Sequence, residues 1–541
     1  MDFAPLFQSV LIPIVLSPVA YFLGKKYGAK SAWFSFAILL YSTIMLLLAA
    51  SIAASSTPNS YVENYNWFPQ SLGGSVLLSS IGNFGLFIDG IGIPFAATIY
   101  IICTAVALYS VPYMKHRIFE QEGIGLEQTI TTEGAEETHV ESKENEKTNR
   151  RFGLYFALYL LYSAGMLGTV LASNLIELYF FFEFMLIPSY FLIAEYGYGE
   201  RGRISLMYLL WTHIGALLML LAFLGIGTLS NSFVFLGPGT MDAAKLVGGL
   251  IPWIAIGLVV GLFVKLSAVG LHIWLPFAHA EAPTPISALL SPAMIGIGGY
   301  IIIRMFTLLL PNAYLQIGLG LAVWGVLTMF YGGIMALAQD DLKRLFAYSS
   351  ISQMGYIIFG IGTATYLGVG GSSFQFVSHG TAKAVLFMVA GLIIVQAGGL
   401  RSIKRMGGLS TKLPIATVCA MIGFLGLMGF PETNGFQSEW LIFGGGLQLG
   451  SAPGQYQIAW LVVSVLAVIS TLVTASYALW TMKRVFFGQL PEGLSKVTQG
   501  SYYMLAPIIF LAAVTIFLGI FPNFIDGPLF QTLHSLPFPL R

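Results

Sequence analysis

Apolar runs of about twenty residues, each closed by a short polar or glycine- and proline-containing break, recur along almost the whole chain. Runs of that length match the thickness of a bilayer's hydrocarbon core. They fall near residues 5–24, 31–54, 86–112, 152–172, 175–197, 204–229, 249–276, 286–310, 315–338, 344–366, 374–398, 414–446, 457–482 and 504–525. The pattern predicts an all-α integral membrane protein with about 14 transmembrane helices. Two runs, the seventh and the twelfth, carry helix-breaking residues: Gly270 with Pro276 in one, and Gly429, Pro431 and Gly435 in the other. In a bilayer a helix opens only where the freed backbone groups face protein or water, so both are expected to be discontinuous and to line an internal path.

If spans four to eight form one five-helix unit and spans nine to thirteen another, each broken helix is the fourth of its unit. The odd number inverts the second unit relative to the first, and paired discontinuous helices in inverted repeats point to a transport path. The expected organisation is therefore N-terminal helices 1–3 over residues 1–112, an acidic loop over 113–151, a first repeat over 152–310, a second over 311–483, and a C-terminal loop and helix over 484–541.

Composition sharpens this picture and excludes others. A chain of 541 residues that is 56% hydrophobic and 9% charged has too little polar surface to be solvated as a globule. The first run lacks a small-residue cleavage site and is expected to remain as a membrane helix. Cys103 and Cys419 both sit in apolar runs, which builds neither a disulfide framework nor an iron–sulfur or zinc site. A net charge of +1 gives no reason to invoke nucleic acid. When alternate loops are assigned to two sides, twenty Lys and Arg residues collect on one side, and only Lys245 and Arg541 fall on the other. By the positive-inside rule the crowded side is cytoplasmic, which puts both termini on the outer face of a multi-pass protein of the cell membrane. Residues 118–149 carry nine glutamates and almost no large apolar side chains; they are expected to form a cytoplasmic loop without a core of their own.

The chemistry lies in the few ionisable residues inside apolar runs, because a charge at the bilayer centre costs about 3 kcal/mol on insertion scales and so marks ion or proton paths. Glu183, in "NLIELYFFFEFMLIPSYFLIAEYG", and Lys265, in "GLVVGLFVKLSAVGLHIWLP", are expected to pair. Opposite charges within reach favour the charged forms and separation disfavours them, so such a pair can act as a switch. Lys383 follows His379 by four residues on one helix face, and an imidazole there is suited to relay protons. Glu439 lies just past the second break. His272 and His279 flank the first break and are expected to meet freed backbone carbonyls, with His272 the better relay candidate; His213 is a further one. Asp89 is expected to cap the third helix, and Arg304, near a helix end, to snorkel toward the membrane surface. No His and carboxylate cluster has metal-ligand spacing, and no glycine-rich phosphate loop occurs.

The segments "VKLSAVGLHIWLPFAHAEAPTPISALL", "FFFEFMLIPSYFLI", "DDLKRLFAYSSISQMGY" and "SHGTAKAVLFMVAG" resemble the antiporter-like membrane subunits of respiratory complex I and the related multi-subunit sodium/proton antiporters. The resemblance runs from about residue 86 to 483. Glu439, where paralogues usually have lysine, together with "AHAEAPT" and a length without a lateral helix, looks like the M-type subunit, the counterpart of mitochondrial subunit four. The resemblance implies a proton-translocating subunit of a NADH (or other donor):quinone oxidoreductase with no redox centre of its own. Flavin, iron–sulfur clusters and quinone would then belong to partner subunits, and L-type and N-type antiporter-like subunits would be its neighbours. It also implies that Glu183 and Lys265 form the paired residues of one half-channel and that Glu439 is the terminal acid of the other. Two positions depart from the family pattern: Gly296 stands where a central lysine is common, and Lys383 stands where M-type members usually have a small residue. Lys383 is therefore expected to stand in for the missing charge. The alternatives are a subunit of a multi-subunit Na+/H+ antiporter and a structural spacer in a membrane complex.

Overall fold

The computed structural model describes residues 4–56, 59–66, 82–123, 139–536 and 540, with only the backbone path described for 139–145. Helices α1 (Pro5–Tyr27), α2 (Ala32–Ser55) and α3 (Gly92–Glu122) are followed by α4 (His139–Leu171), α5 (Leu175–Tyr196) and α6 (Arg201–Ser230). The first discontinuous helix is α7 (Ile251–Leu266) with α8 (Trp274–Glu281), and α9 (Thr284–Leu308) comes after it. Then follow α10 (Pro311–Leu337), α11 (Leu342–Thr363) and α12 (Tyr366–Gln396). The second discontinuous helix is α13 (Pro414–Leu427) with α14 (Asn434–Ser451); α15 (Gln457–Phe486), α16 (Tyr502–Ile520) and the short α17 (Asn523–His534) complete the chain. Strands β1 (Ser60–Tyr65) and β2 (Phe84–Asp89) form an antiparallel hairpin in register Ser60↔Asp89 to Tyr65↔Phe84.

Among the described residues, ten stretches are long and apolar enough to cross a membrane, Pro5–Ser55 counting as one. The expected fourteen splits that stretch at Gly28–Ser31 and adds α11 and the two discontinuous helices, none of which meets the criterion alone. α11 falls short because polar side chains run through it, including Ser349, Ser350, Ser352 and Gln353, all buried. Helices α3 and α4 both extend into the glutamate-rich segment, as far as Glu122 and from His139 onward; its residues 124–138 lie outside the described residues.

Both helix breaks occur where the sequence places them. In the first, Ser267 (φ 56°) and Gly270 (φ 90°) turn the chain into the left-handed region; in the second, Gly429 (φ 64°) and Glu432 (φ 72°) do the same. Opening a helix in low dielectric requires new partners for its backbone. Three indole N–H groups supply them at the first break: Trp274 donates to the Val264 carbonyl (2.9 Å), Trp324 to that of Val269 (3.0 Å) and Trp211 to that of Leu271 (2.9 Å). The Val269 N–H donates to Thr328 Oγ1 (3.2 Å). At the second break Gln353 Nε2 donates to the Leu427 carbonyl (3.2 Å).

α9 and α12 are wholly enclosed by the other helices, and buried serine, glutamine, histidine and lysine side chains lie among their apolar residues. Within α9 the residues Leu290–Met294 form a π-helical turn, which widens the helix beside α12; such turns gather at functional sites. The position of Gly296 is occupied by a neighbour's side chain: a Cβ there would lie 2.3 Å from Cδ2 of Phe376, whose ring stacks on Phe95 at 4.5 Å.

The hairpin end of the molecule is held by charge. Glu63 on β1 accepts the backbone N–H groups of Leu6 and Phe7 (2.9 and 2.8 Å) at the start of α1. Asp89 caps α3 by accepting the N–H groups of Ile91 and Gly92 (3.0 and 2.8 Å). Arg304 does not snorkel: it is fully buried, makes a two-pronged ion pair with Asp89, one prong at 2.8 Å, and donates to Tyr300 Oη (3.0 Å). Its helix position near an end matters less than the carboxylate waiting in the interior. Removing one member of a buried pair leaves an uncompensated charge and costs roughly 3–5 kcal/mol, whereas replacing both is far milder. Arg304→Met should therefore sharply lower the thermal midpoint of the protein, and Asp89→Asn added to it should recover most of the loss, as read by a double-mutant melting cycle.

Candidate functional site

Glu183 projects from the middle of α5, its side chain 18% exposed, and its Oε2 lies 3.1 Å from His213 Nδ1 on α6. The expected contact with Lys265 is not made. Lys265 sits in the last turn of α7, where the negative end of the helix dipole favours a cation. It is buried with its Nζ 4.9 Å above the Phe182 ring, and no hydrogen-bond partner reaches it among the described residues. Glu183 remains its electrostatic neighbour. The ring that Lys265 lies over belongs to Phe182, the residue next to Glu183. The pair is thus present in its separated arrangement, with His213 holding the acid.

His272 and His279 make contacts other than the backbone-carbonyl ones expected. His272 Nδ1 accepts the N–H of Gly270 (3.2 Å) and its Nε2 meets Tyr331 Oη (3.0 Å), so it braces the first break through a backbone donor rather than a carbonyl. His279 lies deeper: it is fully buried, neither ring nitrogen has a hydrogen-bond partner among the described residues, and it stacks on Phe387 of α12 at 5.0 Å. Its electrostatic neighbours include Lys343 and Lys383. Its distance from the break along the sequence gives no sign of this depth.

Lys383, near the middle of α12, is fully buried. Its Nζ donates to the Phe346 carbonyl (3.0 Å) and to Ser349 Oγ on α11. His379, one turn earlier, has both nitrogens unpartnered among the described residues, and lies within electrostatic reach of Lys383 and His279. On the other side, Ser350 donates to the same Phe346 carbonyl (2.8 Å) and bonds Ser291, in the π-helical turn of α9, at 2.6 Å. Hydroxyl groups therefore tie the lysine to the first repeat.

From Lys383 toward Glu439 the polar line continues. The Tyr477 hydroxyl lies beside Ser349, Gln353 and Thr474, although it meets strict hydrogen-bond geometry with none of them; Thr474 bonds Tyr356 Oη at 3.1 Å. Gln353 accepts from Gln375 Nε2 (2.5 Å), and Gln375 accepts from Ser438 Oγ (2.5 Å), the residue before Glu439. Glu439 itself is 5% exposed, with Tyr356 and Tyr477 as electrostatic neighbours. Gly429, in the second break, lies against the Glu439 carboxylate, and its φ of 64° is one that favours glycine.

The structure therefore gathers Glu183 with His213 near Lys265, gathers Lys383 with His379 and His279, and places tyrosine, serine and glutamine side chains between Lys383 and Glu439. It sets His272 apart as a brace. The connecting hydroxyl and amide groups of α11 were missed by attention to charge alone. Their signal was present in "AYSSISQMGY", too polar for a helix with no exposed face. Glu177 was missed as well: it is fully buried, with Oε2 accepting the Gly85 N–H (3.2 Å). Among the described residues no group of three or more His, Cys, Asp or Glu side chains is placed to hold a metal ion.

The chain is similar to known proteins over most of its length. Residues 172–474 match the family model described as NADH:quinone oxidoreductase/Mrp antiporter, transmembrane. The F(420)H(2) dehydrogenase subunit M of Methanosarcina mazei is 30% identical over 528 residues, covering 95% of this chain and 94% of the relative. NADH-quinone oxidoreductase subunit M of Rickettsia prowazekii is 30% identical over 389 residues, covering 71% and 76%. Among solved structures, a chain of respiratory complex I from Thermus thermophilus with bound NADH superposes with a TM-score of 0.76 at 24% identity, over 98% of this chain and 99% of that one. The family match over residues 172–474 and the relatives covered along most of their length establish that the chain belongs to the NADH:quinone oxidoreductase/Mrp antiporter transmembrane family.

Proposed function

We propose that the chain is the proton-translocating membrane subunit of a complex I-type quinone oxidoreductase. The observation that carries this reading is the buried polar line of Lys383, Ser349, Tyr477, Gln353 and Glu439, set between two discontinuous helices. Polar groups inside a membrane protein are expensive and are retained where protons or ions move. Electron transfer takes place in partner subunits that carry flavin, iron–sulfur clusters and quinone. L-type and N-type subunits flank the chain in the cell membrane, with its Lys- and Arg-rich face toward the cytoplasm and its termini outward.

In this mechanism the separated Glu183 and Lys265 are one of two states. When Glu183 leaves His213 and approaches Lys265, opposite charge holds the proton on the ammonium; when it withdraws, the proton moves on. His279 and His379, unpartnered by protein, relay it to Lys383. From there the hydroxyl and amide groups of α11 and α15 lead to Glu439. Lys383 supplies the charge that Gly296 lacks, because Phe376 fills the space beside that glycine.

Glu183→Gln and Lys265→Ala should each lower proton translocation and the quinone reduction coupled to it, measured together in vesicles carrying the assembled complex. Pumping at unchanged stoichiometry would refute the assignment, and sodium-dependent transport without quinone reductase partners would favour an antiporter subunit. Lys383→Ala should lose most pumping. Adding Gly296→Lys with Phe376→Ala, which clears the space for the new side chain, should restore part of it. The same vesicle assay reads both outcomes, and an unaltered rate in Lys383→Ala would dismiss the substitute role.

A further inference from the structure

On the Lys- and Arg-rich face, the ends of α3, α4, α5 and α6 surround a cavity of about 540 Å³, above the roughly 300 Å³ at which small-molecule sites begin. Its charged lining is Lys147, Arg150, Arg151 and Arg201 against Glu122 and Glu195. Glu122 is already spent: Lys147 and Arg151 both bridge it, at 2.6 and 2.5 Å. Arg150 has no hydrogen bond or ion pair among the described residues, and Arg201 donates only to the backbone carbonyl of Glu195 (3.0 Å). Guanidinium groups left free in this way are shaped to take phosphate oxygens two at a time.

A second feature continues from the same cavity. Below Glu195, one stripe of α5 exposes Phe191 (44%), Ile187 (52%) and Phe180 (52%), at spacings of four and seven residues that keep them on one helix face. A basic pocket at the membrane rim capping an exposed apolar stripe matches a molecule with an anionic head and a hydrocarbon tail. An acidic protein surface would fit the charge of the pocket but would not extend along the apolar face of α5, which runs down a membrane-spanning helix. We infer that this cavity binds the headgroup of an anionic phospholipid, its phosphate held by Arg150 and Arg201 and an acyl chain lying along α5. Since α5 carries Glu183, the lipid sits on the helix whose acid would switch, and basic pockets between membrane helices are known to select anionic headgroups. The inference rests on the chain lying in a bilayer and is independent of the proton path.

The test uses the whole assembled complex. Native mass spectrometry of the complex reconstituted with phosphatidylglycerol or with phosphatidylcholine counts retained lipids, in wild type, in the double variant Arg150→Gln/Arg201→Gln, and in Arg203→Gln, whose side chain is exposed and bridges Glu200. Wild type and Arg203→Gln should retain a phosphatidylglycerol that the double variant loses, with affinity lowered roughly thirtyfold, the loss expected for two cations near a membrane surface. Melting of the wild-type complex should rise with phosphatidylglycerol and not with phosphatidylcholine or inorganic phosphate. Equal lipid retention in the double variant, or equal stabilisation by inorganic phosphate, would overturn the inference.

Discussion

Everything in this molecule follows from the cost of leaving a polar group unpartnered where water is scarce. Two helices are opened inside the bilayer region, and indole, threonine and glutamine side chains take up the backbone groups so released. An arginine is buried, and an aspartate that also caps a helix is placed beneath it. Lys265, His279, His379 and Glu439, on the broken helices and on α12, depart from this economy: each has a buried ionisable atom with no hydrogen-bond partner among the described residues. Arg304 and Asp89 are paired with each other, whereas these four are not.

The two helix breaks solve the same problem with different residues. In the first, the charge sits at the C-terminal end of the leading half-helix, where the dipole supports Lys265. In the second, the charge sits in the trailing half-helix, and Gly429 lets the opened backbone come against the Glu439 carboxylate. α9 and α12 join the two halves: the π-helical turn of one brings Ser291 to Ser350, and the other carries Lys383 into the same cluster. The loss of a side chain at Gly296 and the presence of Phe376 are two sides of one packing arrangement, which leaves Lys383 as the charge at the centre.

Much of this was legible in the sequence. Apolar runs of bilayer length fixed the helical architecture, and Gly270 and Gly429 marked the breaks, because glycine and proline in such runs have few other uses. Glu183, Lys265, Lys383 and Glu439 stood out because charge is rare in apolar surroundings. What was not legible is relational. Whether Glu183 faces Lys265 or His213 depends on helix rotation, which hydropathy does not encode. Arg304 looked free to reach the surface because its partner, Asp89, lies more than two hundred residues away in the chain. The hydroxyls of α11 carry no charge and so drew no attention, yet they make the connection between Lys383 and the second break.

If the buried ionisable groups form one hydrated line, a cryo-EM map of the assembled complex in a lipid nanodisc, at a resolution that shows ordered water, will reveal it. Water density is expected within hydrogen-bonding distance of Lys265 Nζ, of both nitrogens of His279, and of Tyr477 Oη, joining Lys265 to Lys383 and Lys383 to Glu439. Dry apolar packing between any two of these three residues, or a lysine turned toward the lipid, would contradict it.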